Sequence, residues 1–147
     1  MKVLNEVKFS FDSHSANESF ARAAVSAFIA QLDPTISELS DIKTAVSEAV
    51  TNCVVHAYQN RIGKIDIHIQ ILENNRILLK IRDKGCGIED VSKAMEPLYT
   101  TDTAGERAGL GFAVMQSFMD SVKVRSVINK GTTVTLTKRL SRRLSDV

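Results

Sequence analysis

Cysteine is scarce: Cys53 and Cys86 are the only two in 147 residues. Two thiols at that spacing exclude a disulfide framework and a zinc site. Cys53 reads as a small core residue, and Cys86, between two glycines, as accessible. No apolar run approaches the roughly 20 residues that span a bilayer. The opening Met1-Lys2-Val3-Leu4-Asn5-Glu6 lacks a signal peptide's apolar stretch. The expectation is therefore a cytoplasmic protein with no membrane partner. Surplus charge is missing too. A net charge of +2 does not suggest direct binding to nucleic acid. The basic residues that do gather, Lys138, Arg139, Arg142 and Arg143, read as a solvated tail. There is no internal repeat and no linker, so residues 1–147 are expected to form a single domain around one core. There is also no Gly-x-x-x-x-Gly-Lys-[Ser/Thr], which excludes a P-loop. Gly85-Cys86-Gly87 lacks the third glycine and the parallel setting of a dinucleotide fingerprint.

What is present is a globular composition, 44% hydrophobic and 24% charged. Val7, Phe9 and Phe11 alternate with polar residues and predict a strand over 6–12. Ser15-Ala16-Asn17-Glu18 fits a capping box for a helix to about Leu32, with Phe20, Ala24, Ala27, Phe28 and Leu32 inward; Asp33-Pro34 ends it. Thr35-Ile36-Ser37-Glu38 is a second capping box, opening a long helix to about Gln59. Ile65, Ile67, Ile69 and Ile71 predict the cleanest strand. Residues 73–75 turn it back into a strand with Ile77, Leu79 and Ile81 inward and Asp83 at its end. A short helix follows at 88–95. Residues 97–108 lack any apolar period and read as a lid or mobile loop. A helix over 109–119, a strand at Val122 and Val124, a tight turn at Asn129-Lys130-Gly131 and a strand over 132–140 with Val134 and Leu136 inward complete the order. The expected fold class is α/β (α+β): a two-layer sandwich, its sheet mixed but mostly antiparallel, with helices on one face.

The chain is organised around Glu48, Asn52 and His56. On a helix, positions four apart advance about 40° each, so the three fall in one narrow stripe. Val46, Ala49, Val50, Cys53, Val54 and Ala57 fall on the other side. Polar residues so spaced ordinarily make a solvated face, but this stripe carries no Lys or Arg. Asn52 can offer an amide oxygen to Mg²⁺, which takes few protein ligands beside nucleotide phosphates. Glu48, one turn away, can accept a proton from a hydroxyl or water. His56 either touches a nucleotide or orients its neighbours. Asp83, at a strand end before Gly85 and Gly87, could accept a hydrogen bond from an exocyclic amine such as adenine's; a surface turn is the alternative. Gly109-Leu110-Gly111 opens a helix, whose free N–H groups suit phosphate, though a plain helix entry explains it as well.

Together these residues resemble the GHKL ATPase superfamily. Glu48–Asn52–His56 looks like its N box, Asp83-x-Gly85-x-Gly87 its first glycine box, and Gly105 with Gly109-x-Gly111 its second. Glu48-Ala-Val-Thr-Asn52 followed by His56-Ala-Tyr58 is similar to the anti-sigma-factor serine kinases. The text around Asn17–Arg22 and Phe28–Thr35 resembles their sporulation branch, the anti-sigma-F factors of spore-forming bacteria, over residues 7–141. The resemblance implies a Bergerat ATP-binding sandwich. It implies a homodimer that holds a sporulation sigma factor inactive and, with Mg-ATP, phosphorylates a serine of an anti-anti-sigma partner. It matches Glu48 to the catalytic base, Asn52 to the Mg²⁺ ligand and Asp83 to the adenine carboxylate. Gly85, Gly87, Gly105, Gly109 and Gly111 match the ATP and ADP loops, and Thr132 a threonine near adenine. Thr101 and Arg107 belong to the ATP-binding lid, Arg107 matching a residue close to the phosphates or partner, and Glu18 and Arg22 match a partner-binding surface. The sigma-B-type stress kinases share these boxes, and a nucleotide-dependent binding switch without useful catalysis is the other alternative.

Overall fold

The computed structural model describes residues 1–59, 61–96 and 108–141. Five strands form one sheet: β1 (Val3–Asp12), β2 (Lys64–Leu72), β3 (Arg76–Asp83), β4 (Ser121–Val127) and β5 (Gly131–Arg139), in the order β1-β2-β3-β5-β4. Each neighbouring pair is antiparallel. The expectation of a mostly antiparallel sheet holds, with no parallel pair among the described strands. Alternation explains the layering. Ile65, Ile67, Ile69 and Ile71 of β2 are all buried, and so are Ile77, Leu79 and Ile81 of β3. Their register forms rows across the sheet, such as Phe9–Ile67–Ile81–Val134–Val124. Each fully buried isoleucine contributes about 1.5–3 kcal/mol, so a one-residue slip would move the whole row to the polar face. Asn74 and Asn75, both at positive φ, close the β2–β3 turn, a conformation asparagine tolerates well.

The helices cover the apolar face: α1 (Asn17–Ile29), α2 (Ile36–Asn52), the short α3 (Val91–Ala94) and α4 (Ala108–Phe118). No helix of the described residues is long and apolar enough to cross a membrane. α2 starts as its sequence predicts. Thr35 Oγ1 accepts from Glu38 N–H, and the Glu38 carboxylate accepts from Thr35 N–H, a complete capping box. α2 then buries Ile42, Ala45, Val46, Ala49 and Val50.

Three expectations fail locally. The first capping box does not form: α1 begins after Ala16, whose side chain cannot cap, and Glu18 turns instead toward Arg22 and Ser47. The fully buried face of α1 is Ala21, Val25 and Ile29; of the predicted set, Phe28 and Leu32 pack partly buried against the core and Ala24 is half-buried, but Phe20 is 52% exposed and Ala27 is exposed. Small Ala21 allows close packing at that point. Phe20 instead meets Phe9 and Phe11 edge-on at ring separations of 5.9 and 6.1 Å, over the margin of the sheet. Lys138 is not a solvated tail residue. It lies in β5, and its Nζ donates to Phe118 O at 2.7 Å, tying β5 to the end of α4. Arg142 and Arg143 lie outside the described residues.

Candidate functional site

α2 ends in a change of winding. After Asn52 the chain makes a π turn, Cys53–Ala57, closed by Tyr58 N–H to Cys53 O at 3.1 Å. Glu48 and Asn52 therefore share one face of a regular helix, whereas His56 is the fourth residue of a wider turn and leaves their strict stripe. Glu48, Asn52 and His56 are all half-buried. The buried Asn52 Nδ2 has no hydrogen-bond partner among the described residues. An orphaned buried amide costs about 1–3 kcal/mol, so this N–H donor is poised for an acceptor that the described residues do not supply.

The first turn of α4 faces that amide. A Cβ on Gly111 would lie 3.2 Å from Asn52 Oδ1, 3.3 Å from Asn52 Nδ2 and 3.4 Å from Glu48 Oε2. Gly111 is buried, and Gly109 stands in the same turn. The fold thus brings Glu48 and Asn52 against the start of a helix, where free N–H groups and the dipole attract phosphate. Among the described residues no cluster of three His, Cys, Asp or Glu side chains could hold a metal by itself. One amide oxygen beside a helix start suited to phosphate would fit Mg²⁺ carried largely by phosphates and water.

A second cluster forms where β3 ends. Asp83 is buried at 5% exposure, and antiparallel register sets it directly beside Thr132 of β5. Its Oδ1 accepts from Gly85 N–H at 3.0 Å and Thr132 N–H at 3.2 Å. Burial raises the Asp83 carboxyl above its ordinary range; the Gly85 N–H, the Cys53 thiol and the Thr132 N–H pull it partly back. Burial, then the Asp83 charge, pushes the Cys53 thiol well up, so it remains a donor. A carboxylate has about four acceptor sites, and the two N–H donors on Oδ1 leave room for a ligand donor.

The glycine loop is held from three sides. Gly85 lies so near the end of the π turn that a Cβ would fall 2.4 Å from Ala57 O, and Gly87 adopts φ +78°. Cys86 N–H donates to Ala57 O at 3.0 Å, its carbonyl accepts from Asn129 N–H at 2.8 Å, and its thiol donates to His56 O at 3.3 Å. Cys86 is half-buried rather than fully accessible. Sequence reasoning missed two supporting residues. Tyr58 OH accepts from Lys84 N–H at 2.7 Å and donates to Lys64 O, which pins the start of the loop. Ser126 Oγ accepts from Ile88 N–H at 2.6 Å and bonds Thr132 Oγ1 at 2.8 Å, which pins its end. Tyr58 reads as part of the His56-Ala-Tyr58 text inside a helix expected to run to about Gln59, whereas α2 ends at Asn52 and the π turn at Ala57; Ser126 carries no signal.

Glu18 and Arg22 stand apart from both clusters, on α1. Ser47 Oγ donates to Glu18 Oε1, and Arg22 Nε lies 3.0 Å from the same oxygen. Arg22 Nε is shut off from solvent, yet that approach is not aligned as a hydrogen bond. Thr101, Gly105 and Arg107, with the rest of the expected lid, lie outside the described residues.

The family described as the histidine kinase-like ATPase domain matches residues 11–138. A curated relative from Caldanaerobacter subterraneus subsp. tengcongensis, named anti-sigma F factor, is 58% identical over 142 residues, 97% of this chain and 99% of the relative. Another of that name, from Clostridium kluyveri, is 51% identical over 134 residues, covering 91% and 94%. Among solved structures, the RsbU and RsbW domains of Rv1364c from Mycobacterium tuberculosis superpose with a TM-score of 0.70 at 22% identity, over 95% of this chain and 33% of that one. The catalytic domain of histidine kinase ThkA superposes at 0.58 and 15% identity, over 93% and 97%. At those identities the structural likeness speaks for the fold.

Proposed function

Since this chain belongs to the histidine kinase-like ATPase family, among the anti-sigma F factors, we propose that it is an ATP-dependent protein serine kinase that also sequesters a sporulation sigma factor. Its phosphoryl acceptor is a serine of an anti-anti-sigma protein, and it works as a homodimer. The observation that carries the reading is the contact of Glu48 and Asn52 with the first turn of α4 at Gly111. It supports the reading because it sets a carboxylate beside a helix start suited to a terminal phosphate.

The chemistry is in-line transfer, in which positioning and charge neutralisation do most of the work. Asp83 accepts the adenine amine and selects the base, and Thr132 and Gly85 hold that carboxylate in aim. The N–H groups at the start of α4 hold phosphate oxygens. Bound Mg²⁺ supplies neutralisation of phosphate charge, with Asn52 as its protein ligand. Glu48 takes the proton of the attacking serine hydroxyl.

The test is transfer from γ-labelled Mg-ATP to a candidate anti-anti-sigma protein, comparing the parent chain with Glu48→Gln. Label on a partner serine that falls by at least 100-fold in the variant, with ATP still bound, is the expected result. Transfer at the parent rate in Glu48→Gln would remove Glu48 as base. No label from the parent with ATP still bound would favour a nucleotide-dependent switch.

A further inference from the structure

The sheet has two faces. The helices pack on the apolar one, and the opposite face carries Lys80, Arg82, Lys123 and Arg125, all exposed. Charge on that open face is segregated. Its acidic residues, Glu6, Asp12 and Asp66, are confined to β1 and β2, where Glu6 meets His68 and Asp12 meets Lys64. The open-face positions of β3, β5 and β4 include no Asp or Glu. Asp66 stands opposite Arg82 in the register, yet among the described residues no ion pair joins them, and Lys80, Lys123 and Arg125 have none either. A plainly solvated face interleaves the two signs; this half does not.

Register also gives the half-face a shape. Lys80 and Lys123 flank Thr135, and Arg82 and Arg125 flank Thr133. Thr133 and Thr135 are half-buried, because short hydroxyl side chains form the floor between long cationic ones. With neighbouring strands about 4.8 Å apart, the two cationic walls stand about 10 Å apart, and the two rows follow each other at about 7 Å. The result is a trough along β5 with positive walls and a hydrogen-bonding floor. It faces away from the core side, where Asp83 and Thr132 are buried.

We propose that this trough is a docking surface for an acidic helix of a partner protein, laid along β5 with its carboxylates reaching the cations on either side. The dimensions select a helix. Its diameter of about 10–12 Å matches the separation of the walls, and four helical residues rise about 6 Å, close to the spacing of the rows. Neighbouring helical positions differ by about 100° and positions four apart by about 40°, so acids at i, i+1, i+4 and i+5 fall on two flanks and meet all four cations. Complementary charge of this kind fixes partner choice and speeds encounter. The surface is separate from the nucleotide clusters, so the proposal stands whether or not the chain is a kinase.

The experiment uses the full chain and two helical peptides of about 20 residues. One carries glutamates at i, i+1, i+4 and i+5; the other has the same composition with its glutamates spread round the helix. Affinity is read by fluorescence anisotropy and the footprint by backbone amide shifts. The proteins are the parent, Lys80→Glu with Lys123→Glu, and Arg61→Glu with Lys93→Glu, which changes net charge equally off the sheet. The patterned peptide should bind the parent about tenfold or more tighter than the spread one, with shifts centred on Thr133 and Thr135. That affinity should fall about tenfold or more in the sheet variant and hold within about twofold in the other, with ATP affinity in the sheet variant at the parent value. No preference between the peptides, an equal loss in both variants, or shifts centred elsewhere would overturn the proposal. So would tighter binding of a single-stranded oligonucleotide of matched charge that is lost in the sheet variant, which would make nucleic acid the occupant. The peptide comparison on the parent alone decides the matter if a variant does not fold.

Discussion

Asp83→Asn is the sharpest probe of the adenine cluster. The amide keeps an oxygen that can accept from Gly85 and Thr132 N–H, so the loop geometry survives. The second carboxylate oxygen becomes an NH₂, which meets the adenine amine donor to donor. One lost acceptor to a buried partner corresponds to about 1–3 kcal/mol, or roughly 5- to 150-fold in ATP affinity. Stability of the nucleotide-free protein moves the other way. Burial raises the Asp83 carboxyl in the folded state, so between the unfolded and folded pKa values the native protein binds more protons than the unfolded chain. Stability from this group is therefore fully present at the acid end and falls as pH rises through that window. Asp83→Asn removes that dependence and should leave the nucleotide-free protein at least as stable as the parent at neutral pH. Isothermal titration with ATP, paired with thermal melts from pH 4 to pH 8, reads both. Parent-like ATP affinity in a folded Asp83→Asn variant would refute the adenine assignment. A variant that loses affinity only because it has melted would refute the claim that the loop survives.

Gly111→Ala places a methyl 3.2–3.4 Å from Asn52 and Glu48, so those side chains must yield by a few tenths of an ångström. ATP affinity and transfer should fall at least tenfold while the melting temperature moves little, as titration and calorimetry would show. Tyr58→Phe strips the hydroxyl from Lys84 N–H and Lys64 O and should cost about 1–3 kcal/mol in denaturant unfolding. Thr35→Ala removes a working cap and should cost about 1 kcal/mol of stability with nucleotide affinity unchanged.

The sheet was legible because its signal is local. Alternating isoleucines in β2 and β3 name their buried face without reference to anything else, and the chain obeys them. The cap at Thr35 was legible for the same reason. The face of α1 was not, because two aromatic and several alanine positions give a 3.6-residue period that can be set one residue either way. Only the aromatic ledge at Phe9 and Phe11 decides that Phe20 stays at the margin. Within the site, Glu48 and Asn52 were paired by spacing alone. The meeting of Asp83 with Thr132 depends on which strand pairs with β3. The support from Ser126 depends on a hairpin register that no single stretch of sequence encodes.

The π turn is where local and global order meet. A straight α-helix through Ala57 would keep His56 in line with Glu48 and Asn52 and turn the helix end away from the glycine loop. Widening one turn over Cys53–Ala57 leaves the Ala57 carbonyl to accept Cys86 N–H, and the His56 carbonyl to accept the Cys86 thiol. The same turn sets Cys53 inward, where its thiol helps offset the effect of burial on the Asp83 carboxyl. The two clusters are thereby made one unit. The Glu48–Asn52 cluster hangs on α2 above the turn, the Asp83 cluster on the loop below it, and Gly85 lies against the junction, where any side chain would strike Ala57 O. On this argument His56 serves through its backbone at least as much as through its ring. Its replacement by glutamine should then affect nucleotide binding far less than an alanine at Gly85, which would drive the two halves apart.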